Sequence, residues 1–195
     1  MLNQYVVDKL KMNTESAQIK QIINWVKQDP LRVKALECVN ALNLPQSYIA
    51  AGFVRNLVWD HLHDKPELTP LNDVDVIYFD QDEQDDQAFL MYEARLNQMM
   101  PEFNWQVRNQ ARMHIRNGDQ PYQSSVDAMC YWPEKETGVA IRLEKSGDYE
   151  CVSAFGFNAL FALKVTYNPK RKRSLFEHRV ATKNWLTHWL HLKLC

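Results

Sequence analysis

The sequence has almost no net charge, no closely spaced cysteines and no long apolar run. Its 195 residues carry 23 Lys and Arg against 24 Asp and Glu, a formal net charge of -1. This balance excludes the whole-protein positive field that draws a protein non-specifically onto nucleic acid. The four cysteines form no CxxC pair, so we predict reduced free thiols. No segment reaches about eighteen uncharged apolar residues, and the N-terminus lacks the apolar stretch of a signal peptide. We expect a cytoplasmic protein with no membrane partner.

Histidine spacings typical of zinc sites are missing as well. His61 and His63 stand only two residues apart in a predicted helix, where their rings face different directions, and His188 and His191 lie near the C-terminus. Neither pair belongs to a group with zinc-ligand spacing, so we do not expect zinc.

The chain also lacks internal repeats, low-complexity tracts and linker-like segments. Its length suits one compact domain that buries roughly 70% of its extended surface. We predict a single domain over 1–195, with N-terminal helices in 1–45 and an α/β core with C-terminal helices in 46–195.

Hydrophobic periodicity predicts both helices and strands, and the centre of the chain follows the order strand, helix, strand, helix, strand. The expected helices cover 16–29, 31–42, 53–62, 84–100, 124–131, 155–165 and 175–194. The expected strands cover 48–52, 73–78, 103–107, 139–143 and 149–152.

Two carboxylates stand in the second predicted strand. Asp73 and Asp75 are separated by one residue, and residues i and i+2 of a strand project from the same face. Two such anions repel each other, whereas a divalent cation at ~4 Å gains about 8 kcal/mol from each before desolvation at an effective dielectric of ~20. Mg²⁺ prefers carboxylates together with substrate phosphates. As a bare pattern the pair is also typical of two solvated acids on an edge strand, so the surroundings must decide.

A helix start precedes the acidic pair. Gly52 ends a short predicted strand, and the free N–H groups of the next helix attract phosphate. Gly52 also permits close approach of the backbone to a ligand, while Arg55, beside Asn56, supplies a charged fork for phosphate oxygens or for Asp73 and Asp75. The alternative is an ordinary tight turn before a helix. Glycine, arginine and paired acids together favour a binding site.

These motifs resemble those of a known superfamily. Gly52-Phe-Val-Arg-Asn56 followed by Asp73-Val-Asp75 is similar to the signature of the DNA polymerase β-type nucleotidyltransferases, in the form of the tRNA CCA-adding and poly(A) polymerase branch. Segments 51–60, 73–80, 109–114 and 127–134 further resemble a family of small bacterial nucleotidyltransferase-like proteins, a match that spans 17–192. The resemblance implies an α+β nucleotidyltransferase fold, in which helices flank a mixed β-sheet.

The resemblance also implies a reaction and a site. The superfamily transfers a nucleotidyl group from an NTP to a hydroxyl, with two metal ions held by three carboxylates. Asp73 and Asp75 would be the catalytic acids and the Mg²⁺ ligands. Gly52, Arg55 and Asn56 would position the triphosphate.

The third carboxylate is missing from its expected place. It usually lies on a later strand, and the best match, 105–109, puts the amide of Asn109 or Gln110 there. An amide can ligate Mg²⁺ but brings no charge to hold a second ion or accept a proton. Asp127 and Glu150 are the alternative acids. A two-ion site is therefore left open.

Polar residues around the end of that strand are expected to complete the pocket by contacting base, ribose or acceptor. They are Asn109, Gln110, Arg112 and His114. An amide and a guanidinium orient a ligand without titrating, which places Asn109 and Arg112 ahead of His114. A lone histidine such as His114 is commonly structural.

Two further features have plainer interpretations. The basic run 170–173 is typical of a solvated approach to a helix, with contact to RNA or a phosphorylated acceptor as the alternative. Trp132, Trp185 and Trp189 fall in apolar patterns that favour packing over base stacking.

The sequence therefore predicts a nucleotidyltransferase that uses an NTP and an unknown hydroxyl acceptor on RNA, a protein or a small molecule. A catalytically weakened nucleotide-binding module is the first alternative, because the third acid is missing. An RNA- or protein-interaction domain that kept only the fold is the second. Fold analogy does not identify the NTP or the acceptor.

Overall fold

The computed structural model describes residues 4–195, with side chains from residue 14 onward. The helices are α1 (Gln4–Lys27), α2 (Pro30–Asn40), α3 (Gly52–Leu62), α4 (Ala88–Met99), α5 (Gln110–Asn117), α6 (Ser125–Met129), α7 (Asn158–Phe161), α8 (Arg173–Lys183) and α9 (Trp185–His188). The strands are β1 (Tyr48–Ala50), β2 (Asp73–Tyr78), β3 (Asn104–Asn109), β4 (Val139–Leu143), β5 (Tyr149–Ser153), β6 (Lys164–Val165) and β7 (Lys193–Leu194). A 3₁₀ turn occupies Lys135–Thr137.

The main sheet has five strands in the order β3-β2-β1-β4-β5. Strand β1 runs antiparallel to both of its neighbours, β2 and β3 are parallel, and β4 and β5 form an antiparallel pair. Helix α4 makes the crossover that the parallel β2–β3 pair requires. The predicted α+β class, a mixed sheet flanked by helices, is confirmed.

Strand β2 divides its side chains between two different environments. Val74, Val76 and Tyr78 enter the larger hydrophobic core, which also receives Ile22 of α1 and Leu36 of α2. The opposite face of the sheet carries a smaller core. That core is formed by Tyr48, Ala50, Ile77, Met129 and Ala140. Asp73 and Asp75 alternate with the residues of the larger core and therefore share the face of Ile77.

Local chemistry accounts for the break between the first two helices. Asp29 accepts hydrogen bonds from the backbone N–H groups of Leu31 and Arg32, at 3.0 and 3.2 Å. Pro30 takes the first position of α2, where its missing N–H group has no cost. The expected pair of N-terminal helices is confirmed, and α1 begins earlier than predicted.

Three helix predictions are wrong in extent or missing. The helix expected over 155–165 is only the short α7, because Leu163 adopts a positive φ of 55° and the chain continues as β6. The helix expected over 175–194 is interrupted at Asn184, whose φ of 53° is left-handed, and it ends before β7. Helix α5 was not predicted. It begins at Gln110, and the side chain of the preceding residue, Asn109, caps it by accepting the N–H of Ala111.

All four cysteines are free thiols, as predicted. Across the part of the chain that the structure describes, every helix is too short or too polar to cross a bilayer.

Candidate active site

A cleft of about 450 Å³ opens over the β2–β3 part of the second sheet face. Strands β2 and β3 supply one side, the start of α3 supplies the floor, and α8 with the C-terminal segment supplies the opposite side. The lining of the cleft includes Gly52, Arg55, Asn56, Asp73, Asp75, Gln106, Gln110, Trp132, Thr137, Arg179, Lys183, Trp185, His188 and Trp189.

Asp73 and Asp75 lie together on one side of this cleft. The Nδ2 group of Asn104, on β3, donates to Oδ1 of Asp73 at 2.7 Å and so orients that carboxylate. Burial raises the pKa of Asp75, which Asp73 raises further, while Arg55, Lys183 and Arg179 oppose the shift. Both carboxylates therefore face a common space, and the ionised form of Asp75 is costly without an added cation.

The start of α3 forms the floor with its N-terminal backbone exposed to the cleft. Ala51 has a φ of 55° and a ψ of -119°, and no side chain caps the helix. The positive φ thus falls on an alanine and not on Gly52. A Cβ built on Gly52 would meet Asn56 at 3.4 Å and Arg55 at 3.6 Å, which are ordinary contact distances. The protein itself leaves room for a side chain at Gly52, as expected if the glycine serves an approaching ligand.

The guanidinium of Arg55 is bound inside the protein. Its Nη1 donates to Oγ1 of Thr137 at 2.9 Å, and its Nε and Nη2 donate to Oδ1 of Asn56 at 3.2 and 2.9 Å. The group lies between the rings of Trp59 and Trp185, at 5.0 and 4.7 Å from their centroids. Burial lowers the pKa of Arg55 to about 10, so the group remains charged at neutral pH. Arg55 acts on Asp75 through its field, without a salt bridge between them.

A buried ion pair supports the opposite side of the cleft. Glu134 is only 1% exposed and accepts from Nε and Nη2 of Arg179 at 2.7 and 3.2 Å. The hydroxyl of Thr137 donates to the same carboxylate at 3.1 Å. Because Thr137 also accepts from Arg55, one hydrogen-bonded chain joins α3 to α8 across the back of the cleft.

The predicted pocket residues 109–114 separate in the structure. Gln110 lines the cleft. Asn109 projects from the other sheet face and binds the backbone of Asp80 and Ala111 and the carboxylate of Glu83.

The remaining two predicted pocket residues also lie outside the cleft. Arg112 pairs with Asp86 and donates to the backbone carbonyl of Glu83. His114 makes an edge contact with Tyr122. The structure therefore does not bring Asn109, Arg112 or His114 to the side chains of Asp73 and Asp75.

The position beside Asp75 belongs to Gln106, which the sequence reasoning missed. Parallel pairing aligns Asp73 with Asn104 and Asp75 with Gln106. The signal was available in the sequence, because Asn104 and Gln106 repeat the i, i+2 spacing of the two acids on the next strand. The sequence predicted Asn109 or Gln110 for this place, and the structure puts Gln106 there, three to four residues earlier in the chain. An amide does stand there, as expected.

Neither alternative acid completes the site. Asp127 accepts the backbone N–H of Gln123 at 2.9 Å near the start of α6. Glu150 lies on β5, at the far side of the sheet, where it accepts from Tyr48 and pairs with Arg142.

The donor set suits one hard cation better than two. Two carboxylates on one face, open to a cleft, match the way proteins hold Mg²⁺ with water and phosphate completing its shell. Among the side chains from residue 14 onward, no cluster of three or more His, Cys, Asp or Glu residues forms a metal-binding group. Asp73 and Asp75 would therefore hold the ion together with substrate oxygens.

The basic run 170–173 is partly engaged within the protein. Arg171 pairs with Asp119 at 2.6 Å, and Lys170 lies 4.0 Å from the ring centroid of Tyr131. Trp185 and Trp189 are buried, consistent with packing, whereas Trp132 is half-buried.

Comparison with known proteins identifies the family. The model of a family described as nucleotidyltransferase matches residues 37–194. The chain belongs to this nucleotidyltransferase family. A solved NMR structure, described as revealing a CCA-adding enzyme head domain, is similar with a TM-score of 0.80 and 31% sequence identity, over 90% of this chain and 95% of that one. No curated protein matches the chain. The cleft of this nucleotidyltransferase-family member thus lies on a fold shared with that head domain.

Proposed function

We propose that the cleft binds a nucleoside triphosphate with Mg²⁺ and that the protein transfers the nucleotidyl group to a hydroxyl acceptor. One observation carries the proposal: Asp73 and Asp75 face the same cleft as the uncapped start of α3. Carboxylates bind the metal and free N–H groups bind phosphate, so a metal–triphosphate complex satisfies both. RNA, a protein side chain and a small molecule are the candidate carriers of the acceptor hydroxyl.

The residues have separate roles in this proposal. The acceptor hydroxyl loses its proton to solvent water and forms a new O–P bond at the α-phosphorus, as the bond to the β-phosphate breaks and pyrophosphate leaves. Bound Mg²⁺ supplies Lewis-acid polarisation of the phosphate oxygens. Asp73 and Asp75 hold the ion, Asn104 orients Asp73, and the backbone at Gly52 approaches the phosphates. Arg55 and Asn56 brace the floor of the cleft.

Ligand-induced stabilisation tests the binding half of the proposal. The wild-type protein is heated with each of ATP, GTP, CTP and UTP, with and without Mg²⁺. A ligand at a hundredfold excess over its Kd adds about 2.7 kcal/mol, which raises the Tm of a chain of this size by roughly 5–10 °C. The shift should require Mg²⁺ and vanish in Asp73→Asn/Asp75→Asn. It should persist in Asp148→Asn, a matched change of an exposed acid in the β4–β5 turn. A folded wild type with no shift in any nucleotide would refute the proposal.

Gln106 favours a second candidate, a nucleotide-binding module of weakened activity. An amide beside Asp75 gives no third charge for a second metal ion and no base for the acceptor hydroxyl. Pyrophosphate release measured with the nucleotide that binds separates the candidates. Turnover in wild type supports the transferase. Binding without turnover, together with gain of Mg²⁺-dependent turnover in Gln106→Glu, supports the weakened module.

A further inference from the structure

Helix α8 turns two basic side chains toward the acidic side of the cleft. Arg179 and Lys183 are four residues apart, so they lie on one face of the helix, and both line the cleft. Phe176 and Val180 of the same helix pack on the main core. The helix is therefore anchored by its apolar residues while its basic residues remain at the cleft.

Arg179 is held in place with part of its guanidinium unused by its anchor. Its bonds to Glu134 engage Nε and Nη2 and leave Nη1 outside that pair. Glu134 is itself fixed, because it is almost fully buried and accepts the hydroxyl of Thr137. A guanidinium fixed in this way needs little further ordering to bind a phosphate oxygen.

Lys183 is exposed, and within the described part of the chain it forms no ion pair. Lys183 and Arg179 nevertheless line the same cleft as Asp75. Neither forms a salt bridge with it, so an open gap separates the two charged sides of the cleft.

That gap has the charge pattern of a metal–polyphosphate complex. The cation would lie against the carboxylates, and the phosphate oxygens beyond it would face the basic side chains. Arg55, the basic residue that the sequence placed on the phosphates, directs three of its N–H groups to Thr137 and Asn56. The basic side chains of α8 are therefore the groups left to contact the phosphates farthest from the metal ligands.

We propose that Arg179 and Lys183 bind the terminal phosphates of the nucleoside triphosphate and that Glu134 positions Arg179. This inference rests on the proposed function and names the part of the ligand that α8 recognises. It makes affinity depend on the number of phosphates, since a monophosphate held at the carboxylates does not reach α8. The competing interpretation gives Arg179 only a structural role as the partner of Glu134 and leaves Lys183 in solvent.

Binding of inorganic triphosphate and of orthophosphate, each with Mg²⁺, tests the inference by calorimetry without reference to the nucleobase. Lys183→Gln should weaken triphosphate binding tenfold or more, change orthophosphate binding less than twofold and leave the Tm of the free protein unchanged. Lys172→Gln removes the same charge from the other end of the helix region and should bind triphosphate like wild type. Arg179→Lys, which keeps a cation beside Glu134, should also weaken triphosphate binding while the protein stays folded.

Equal triphosphate affinity in wild type and Lys183→Gln would overturn the inference, as would an equal loss in Lys172→Gln. The nucleotide panel keeps this failure distinct from failure of the proposed function. If an NTP binds through Asp73 and Asp75 and Lys183→Gln leaves its affinity unchanged, the inference falls and the proposed function stands. If Lys183→Gln weakens triphosphate binding but no NTP stabilises the wild type, the phosphate contact stands and the nucleotide assignment falls.

Discussion

Gly52→Ala should separate stability from ligand binding. The added Cβ would lie 3.4 Å from Nδ2 of Asn56 and 3.6 Å from Nη2 of Arg55, both ordinary van der Waals distances. Gly52 begins α3, and its φ is not in the left-handed region. Alanine is favoured over glycine in helices by up to about 1 kcal/mol and also lowers the entropy of the unfolded chain. The free energy of unfolding should therefore stay within about 1 kcal/mol of wild type or rise.

The same methyl group should interfere with binding, because it would lie beside Asn56 and Arg55, which line the cleft together with Gly52. Displacing a phosphate oxygen from even one backbone N–H group removes a charge-assisted hydrogen bond, worth about 1.5–3 kcal/mol, or roughly tenfold to a hundredfold in Kd. Chemical denaturation gives the stability, and titration of the stabilising nucleotide with Mg²⁺ gives the Kd.

Gly138→Ala is the matched comparison. A Cβ there would lie 3.2 Å from the backbone oxygen of Lys135 and 3.3 Å from the ring of Phe155, both tight contacts. This change should destabilise the protein by about 1–3 kcal/mol. A loss of stability in Gly52→Ala as large as that in Gly138→Ala would show that Gly52 is needed for the backbone conformation of the turn between β1 and α3. Unchanged affinity in a stable Gly52→Ala protein would refute the ligand-approach argument directly.

Two other changes test the surroundings of the site. Burial raises the pKa of Asp75, so the folded state favours the protonated form of this carboxyl group. The stability that the raised pKa contributes is present at low pH and is lost as the pH rises through the pKa of the folded state. Asp75→Asn should therefore raise the Tm of the ligand-free protein at pH 7 but not at low pH, and a lower Tm at pH 7 would contradict the sign. Trp189→Phe removes the 2.8 Å bond from Nε1 to Oδ1 of the fully buried Asp60, a bond to a charged group worth about 1.5–3 kcal/mol. Its Tm should fall by roughly 5 °C in thermal denaturation, and an unchanged Tm would remove Asp60 as an anchor of the C-terminal segment.

Local signals were sufficient for the centre of the fold. Period-two alternation located β2, and the glycine followed by an apolar helical pattern located β1 and α3. The C-terminal half was harder, because its breaks come from single residues in the left-handed region. Leu163 and Asn184 each stop a helix whose apolar pattern continues beyond them. At Leu163 tertiary packing overrides local preference, whereas Asn184 is a residue type that commonly ends a helix in this conformation; an apolar periodicity pattern contains neither signal.

The site was predictable on one side only. The i, i+2 spacing of Asp73 and Asp75 fixes their common face from sequence alone. The opposite side depends on Glu134 meeting Arg179, a contact between residues 45 positions apart that no local motif encodes. Asn109 illustrates the reverse error: it is the last residue of β3 and pairs with Tyr78, so its amide projects from the sheet face opposite to Asp73 and Asp75.

Several features that weaken the ligand-free protein are concentrated in this cleft. Ala51 holds a positive φ, which costs of order 1–3 kcal/mol in a residue other than glycine. Asp75 is partly buried beside a second carboxylate, and the floor helix starts without a side-chain cap. A metal–phosphate ligand would relieve the last two costs together, because the cation would offset the repulsion between the acids and the phosphate oxygens would accept from the free N–H groups. A purely structural role for the cleft gives no such compensation, and this difference is what makes ligand-induced stabilisation the decisive measurement for this nucleotidyltransferase-family protein.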